Sequence, residues 1–252
     1  MNKKKSRRSS KISLPNVTLI TVTGVNYLEA QYALGRSMRS IEFARVILVG
    51  HKQPKKLLRG VEFQLAQGSM LDSIDEYSKY CIYNLWRHVD TEYVLVIQAD
   101  GYVINPRSWK SEFLNYDYIG APWKISPNSY IDPFDNHIRV GNGGFSLRSS
   151  KLLRVPLNVD IPWEINNSSF YKHMNYNLYS EDGNICVHNR HLYENAGCVF
   201  APLDVALNFS IEQKVPEFSN GKPFGFHKRL PSLRNKIFEK LIWYAFKVRH
   251  SV

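Results

Sequence analysis

The segment Tyr93-Val94-Leu95-Val96-Ile97, followed at once by Gln98-Ala99-Asp100-Gly101, constrains the fold more than any other part of the chain. An apolar run without alternation reads as a strand buried on both faces, the condition of a parallel sheet covered by helices. The polar cluster that follows then lies at the carboxyl end of that strand, the edge where open α/β sheets bind their ligands.

The preceding segments fit the same sheet. Residues 17–23 form a β-rich run ending at Gly24, and 44–49 a second one closed by Gly50. Residues 61–65 read as a short third strand. The spacing of Ala30, Ala33, Leu34 and Met38 predicts a helix over 28–39, and Ile74, Tyr77, Cys81 and Leu85 predict another over 73–88. The order strand–helix–strand–strand–helix–strand predicts an α/β fold with a mostly parallel central sheet between helical layers. No Gly-x-Gly-x-x-Gly follows the first strand, which counts against a dinucleotide dehydrogenase, and no Walker phosphate loop is present. A chain of 252 residues suits one such domain with extensions. Residues 1–13 are expected to be a disordered basic arm, 14–230 the domain, and 231–252 a basic amphipathic helix. That helix is expected to pack on the domain, the alternative being a membrane face with Trp243 and Phe246 at the interface.

The net charge of +11 is uneven. Lys3, Lys4, Lys5, Arg7, Arg8 and Lys11 crowd the start without an acid, a second basic stretch covers 228–249, and the middle is nearly balanced. Without a zinc-finger, RNP-type or basic-zipper pattern, nucleic acid is not an expected partner. Basic ends suit peripheral contact with an anionic membrane better. Cys81, Cys186 and Cys198 lack metal-ligand spacing, and so sparse a set points to a reducing compartment. The basic start and the run after it resemble a signal peptide only superficially, since Pro15, Asn16 and threonines interrupt the run. No apolar stretch reaches the roughly 18 residues of a spanning helix. A cytoplasmic location, at the membrane surface through the basic ends, is expected.

Several short motifs carry chemistry. Asp100, at a strand end, is placed to bind Mn²⁺ or Mg²⁺ through oxygen, although by itself it reads equally well as a turn residue before Gly101. In Gly141-Asn142-Gly143-Gly144-Phe145-Ser146-Leu147-Arg148 the glycines let backbone approach a ligand, Asn142 offers an amide, and Arg148 suits a phosphate. Glu181-Asp182-Gly183 pairs two acids, one to orient a substrate and one to act as base, or else simply opens a helix behind a Ser180 cap. In Pro223-Phe224-Gly225-Phe226-His227-Lys228, His227 suits a metal and Lys228 a phosphate. Ile119-Gly120-Ala121-Pro122-Trp123 is a turn that would present an indole to a sugar.

Taken in order, with Tyr116-Asp117-Tyr118 before the Gly-Ala-Pro-Trp turn and Phe209-Ser210-Ile211-Glu212 before the last motif, these blocks resemble an incompletely characterised family of glycosyltransferase-like domains. That family occurs in bacterial polysaccharide loci and in some large viruses, and the resemblance spans residues 17–228. It implies a GT-A-type, Rossmann-like three-layer α/β/α fold, with a donor half over about 14–105 and an acceptor half over about 106–230. The implied activity is transfer of a sugar from a nucleotide-sugar donor to a glycan or lipid-linked acceptor in polysaccharide or surface-glycan synthesis. The resemblance makes Asp182 the base and Glu181 its support in an inverting displacement, with a retaining course as the alternative. Thr23, Gln98, Asp100, Gly101, Asn142, Gly143, Gly144, Arg148 and Lys228 fall to the donor, Trp123 to the acceptor, and Asp100 with His227 to a divalent Mn²⁺ or Mg²⁺. Gln98 stands where many nucleotide-sugar transferases carry the first acid of Asp-x-Asp. It implies weaker metal binding, or a metal-independent site in which Arg148 or Lys228 offsets the diphosphate. The alternative is a non-catalytic nucleotide- or sugar-binding domain of the same fold.

Overall fold

The computed structural model describes residues 11–125, 131–163, 180–218, 221–228 and 242–248. The first half runs β1 (Ile12–Val22), α1 (Tyr27–Ser37), β2 (Ile41–Gly50), β3 (Glu62–Leu65), α2 (Ile74–Tyr83) and β4 (Tyr93–Ile97). The second half holds β5 (Gly101–Val103), β6 (Tyr118–Ile119), β7 (Phe145–Ser149), α3 (Ser150–Arg154), α4 (Glu181–Gly183), α5 (Arg190–Asn195), α6 (Leu203–Phe209), β8 (Ser210–Ile211), β9 (Gly225–His227) and α7 (242–248).

The main sheet has the order β3-β2-β1-β4-β7-β6. β1, β2, β3 and β4 are mutually parallel, and β7 is antiparallel to both β4 and β6. This is the mostly parallel sheet expected from the element order. Strand alternation sends Leu19, Leu48, Leu95 and Ile97 into one core under α1, and Ile20, Ile47, Val94 and Val96 into another under α2. Both faces are covered, which explains why β4 is apolar without alternation. A small second sheet, β5-β9-β8, closes one end.

Two elements depart from expectation. β1 starts at Ile12, so the boundary drawn after residue 13 falls inside a strand. Pro15 is accommodated by a register shift against β2 between Leu14 and Thr18, in a part of β1 that pairs with β2 alone; pairing with β4 begins only at Val17. The helix expected over 73–88 winds as α2 and then a 3₁₀ turn, Leu85–His88, joined through Asn84. Ser73 caps α2 by accepting from Glu76 N–H. At the other end of the chain, α7 lays Trp243 and Phe246 against Tyr32 of α1 at ring-centroid distances of 5.1 and 5.2 Å, so this segment packs on the domain. The expected arm over 1–10 and the start of the C-terminal helix lie outside the described residues. Among the described residues no helix is long and apolar enough to cross a membrane.

Candidate active site

In the order β2-β1-β4 the chain reverses its direction of travel across the sheet between β1 and β4, and the loops after these two strands splay apart there. The gap opens a cleft of about 770 Å³. On the β1 side, Thr23 Oγ1 accepts from the N–H groups of Val25 and Asn26 and turns the chain into α1. Gly24 lets that turn pass close to the Leu71 carbonyl, where a Cβ would come within 2.1 Å of the oxygen. On the β4 side, Gln98 N–H donates to the Gly144 carbonyl at 2.9 Å, which ties the strand end to the glycine loop before β7.

The glycines of that loop serve close packing. A Cβ on Gly141 would strike the Trp123 indole, one on Gly143 the Glu181 carboxylate, and one on Gly144 the His227 ring, all within 2.4 Å. Between them Asn142 holds a left-handed φ of 63°, a conformation asparagine tolerates, and lies buried beside His227.

The second sheet brings distant sequence to Asp100. β5 and β9 pair Gly101 with His227, so His227 Nε2 lies 3.2 Å from Asp100 Oδ1 and 3.0 Å from Gln98 Oε1. Gln98 Nε2 donates to Tyr77 Oη at 3.0 Å, which turns the amide oxygen toward the histidine. Burial pushes the Tyr77 phenol well above its ordinary pKa, so it stays neutral. On the far edge of the ring, Nδ1 is 3.4 Å from Glu212 Oε1 and 3.2 Å from the Asn142 amide nitrogen. Burial alone would lower His227, but the bonds to Asp100 and Glu212 outweigh it and raise the imidazole to about 9. For Asp100 and Glu212 burial pulls upward, and the bond to His227 and its charge overcome it, holding both carboxyls below the ordinary value. Lys228 follows at φ 58°, its N–H donating to the Asp100 carbonyl and its Nζ 3.4 Å from Glu212.

The acidic pair has divided duties. Asp182 reaches the cleft, and its two oxygens accept from Gly143 N–H at 3.0 Å and Gly183 N–H at 2.8 Å. Glu181 points inward to Arg148, 3.2 Å away. Burial and the Asp182 charge push the Glu181 carboxyl upward, and Arg148 draws part of that back.

Of the residues singled out from sequence, Thr23, Gln98, Asp100, Asn142, Gly144, Glu181, Asp182, His227 and Lys228 line one cleft. Arg148 does not join them. It is 0% exposed on β7, donating to Ser146 Oγ, the Gly143 carbonyl and Glu181, so it meets no phosphate. Trp123 touches the cleft wall but is 1% exposed with its ring under Gly141, so it presents no open face for stacking. Gly101 and Gly143 are packed against backbone and Glu181 and do not line the cavity. Sequence reasoning missed Glu212 and Tyr77 as site residues, along with the cleft-lining Asn26 and Asp72.

The family described as "Protein of unknown function (DUF5672)" has a model that matches residues 60–227. Among solved structures, the chain is similar to the galactosyltransferase LgtC in complex with donor and acceptor sugar analogs. The TM-score is 0.53 and the identity 11%, over 93% of this chain and 96% of that one. The bifunctional IspDF from Campylobacter jejuni matches at a TM-score of 0.41 and 14% identity, over 74% of this chain and 48% of that one, so this chain spans about half its length. No curated protein matches. The six-stranded, mostly parallel sheet with its helices is thus a GT-A-type fold like that of LgtC.

Proposed function

The chain belongs to the DUF5672 family, and we propose that it is a glycosyltransferase moving a sugar from a nucleotide-sugar donor to a glycan or lipid-linked acceptor. One observation carries this reading. Carboxylates, amides, an imidazole and an ammonium drawn from seven separate stretches of sequence converge on a single cleft at the sheet's switch point. The basic ends favour an acceptor met at an anionic membrane surface on the cytoplasmic side.

The donor set suits a divalent ion. Gln98 Oε1 and Asp100 Oδ1 lie 3.0 and 3.2 Å from His227 Nε2. That spacing is close to the ~3 Å between neighbouring ligands around an octahedral ion with bonds of about 2.1 Å. Among the described residues no three His, Cys, Asp or Glu side chains gather as a metal site, so the Gln98 amide would be the third donor. Bound there, Mn²⁺ or Mg²⁺ would offset the charge of the departing diphosphate. His227 would give up its Nε2 proton on binding it. Lys228, half out of the cleft, adds a cation for the same phosphates, and Asn142 and Gly144 face the sugar. Asp182 is the proposed base. Its carboxylate is held still by two backbone donors at the cleft wall, where it takes the acceptor proton in an inverting displacement.

The test is nucleotide release from UDP-, GDP-, dTDP- and CMP-sugars, with and without Mn²⁺, by the wild type and Asp182→Asn. Release by the wild type and its loss in the variant are expected, and the anomeric configuration of the product decides the stereochemistry. No release, with no donor raising the melting temperature, would overturn the proposal. The neutral Gln98 favours a second reading, a non-catalytic nucleotide- or sugar-binding domain. A donor that raises the melting temperature without ever being turned over would establish that reading instead.

A further inference from the structure

Glu212 is the carboxylate beside His227 that the reading above leaves without a task. It follows β8, whose parallel pairing with β9 sets Ile211 beside Phe226 and so brings Glu212 beside His227. It lies at the Nδ1 edge of the imidazole, whereas Asp100 and Gln98 lie at the Nε2 edge. Asn142 Oδ1 is buried without a partner, and its amide nitrogen faces Nδ1. With that amide turned over, a proton on Nδ1 would find two oxygens, Asn142 Oδ1 and Glu212 Oε1. The ring is then fixed with Nδ1–H toward Glu212 and Nε2 toward Gln98 and Asp100. Tyr77 fixes the Gln98 oxygen from the other side. The charge balance points the same way. An amide at position 98 leaves Asp100 as the one anionic donor of the set, and Glu212 is the nearest carboxylate behind the histidine.

We infer that Glu212 is the positioning residue of this ion site: it orients His227 and supplies, from behind the ring, the negative charge that Gln98 withholds. The inference rests on the ion-assisted reading above. A carboxylate behind a metal-binding histidine raises its basicity as a ligand, and losing such a partner typically weakens binding by 10–100-fold. By the same contact Glu212 holds the Lys228 ammonium beside the ion position, 3.4 Å away.

The experiment is a Mn²⁺ titration of the full chain, followed by the free-ion EPR signal, without donor or turnover. Glu212→Gln should raise the Mn²⁺ Kd by about 10–100-fold. Glu212→Asp, which keeps the charge and draws it back from Nδ1, should raise it severalfold at an unchanged melting temperature. The decisive variant is the double one, Gln98→Asp with Glu212→Gln. It moves the charge from behind the ring to the donor set and should return affinity to near the wild-type value. A wild-type Kd in both Glu212 variants overturns the inference, as does a loss that Gln98→Asp fails to repair. Should Glu212→Gln not fold, Glu212→Asp alone decides. A wild type that binds no Mn²⁺ overturns the ion reading and this inference together. Nucleotide release in the absence of Mn²⁺ then shows whether the transferase reading survives them.

Discussion

Arg148 and Glu181 meet at 3.2 Å with side-chain exposures of 0% and 5%. The guanidinium is held by more than Glu181: Nε donates to Ser146 Oγ, a terminal nitrogen to the Gly143 carbonyl, and the cation lies 5.3 Å over the Tyr118 ring. Removing one partner of such a pair strands a buried charge and costs about 3–5 kcal/mol. A domain of this size has a total stability of roughly 5–15 kcal/mol, so Glu181→Leu or Arg148→Met alone should leave a thin margin. Making both changes removes the two charges together. The Ser146 and Gly143 oxygens then lose their partners at about 1 kcal/mol each, so the double variant should lose about 1–3 kcal/mol, less than the sum of the singles and no more than either one. Urea unfolding of the wild type, the two singles and the double gives the coupling energy from the shift in midpoint at constant slope. Additive losses, or a Glu181→Leu cost under about 1 kcal/mol, would refute the assignment of Arg148 to the interior.

Three further outcomes follow from the geometry. Asp182→Asn should cut turnover by about 100-fold or more while a donor still raises the melting temperature; retained turnover would remove Asp182 from the chemistry. Gly144→Ala would set a Cβ 2.1 Å from His227 Nε2. Because the ring is buried, the clash should cost about 1–3 kcal/mol and abolish Mn²⁺ binding, and a variant that melts and binds like the wild type would refute the close contact. His88 is buried between Tyr80 and Gln64. Burial, with Arg45 and Arg87 adding to it, lowers its pKa to about 4 from the ordinary 6.5. The unfolded chain therefore binds a proton that the folded chain refuses between those values. The resulting stability is complete above about pH 6.5 and is lost as pH falls toward 4, at most about 2–3 kcal/mol. His188, lowered to about 4 by burial, adds in the same direction. Urea midpoints at pH 7.5 and 5 measure the loss, and a His88→Gln variant with the same pH slope as the wild type would exclude His88 as its source.

The parts of this molecule legible in its sequence are those in which one local pattern settles the outcome. β4 has the bounds its apolar run implies, because both of its faces are covered. A pattern of sidedness says less about winding: Ile74, Tyr77, Cys81 and Leu85 continue one stripe across Asn84, where α2 ends and a 3₁₀ turn takes over. Ile74 itself is exposed at the cleft rim and contributes nothing to the core. The reading of Arg148 failed for a related reason. Its nearness in sequence to the glycine loop suggested a phosphate, yet β7 pairs it with Val94 on one side and Tyr118 on the other, which places it inside the sheet. A charge in that position needs a buried counter-charge, and Glu181 is its partner, so one acid of the cleft-lining pair is tied to Arg148 while Asp182 rests on backbone donors. Glu212 was hidden more deeply. The strands that carry the second sheet are two or three residues long, too short for alternation to register. Only their pairing, Gly101 with His227 and Ile211 with Phe226, sets Asp100, His227 and Glu212 side by side. Asp100 and His227 were therefore readable singly, from a strand end and a motif. Their relation, with the Gln98 amide and Asp100 at one edge of the imidazole and Glu212 at the other, exists only once that small sheet has formed.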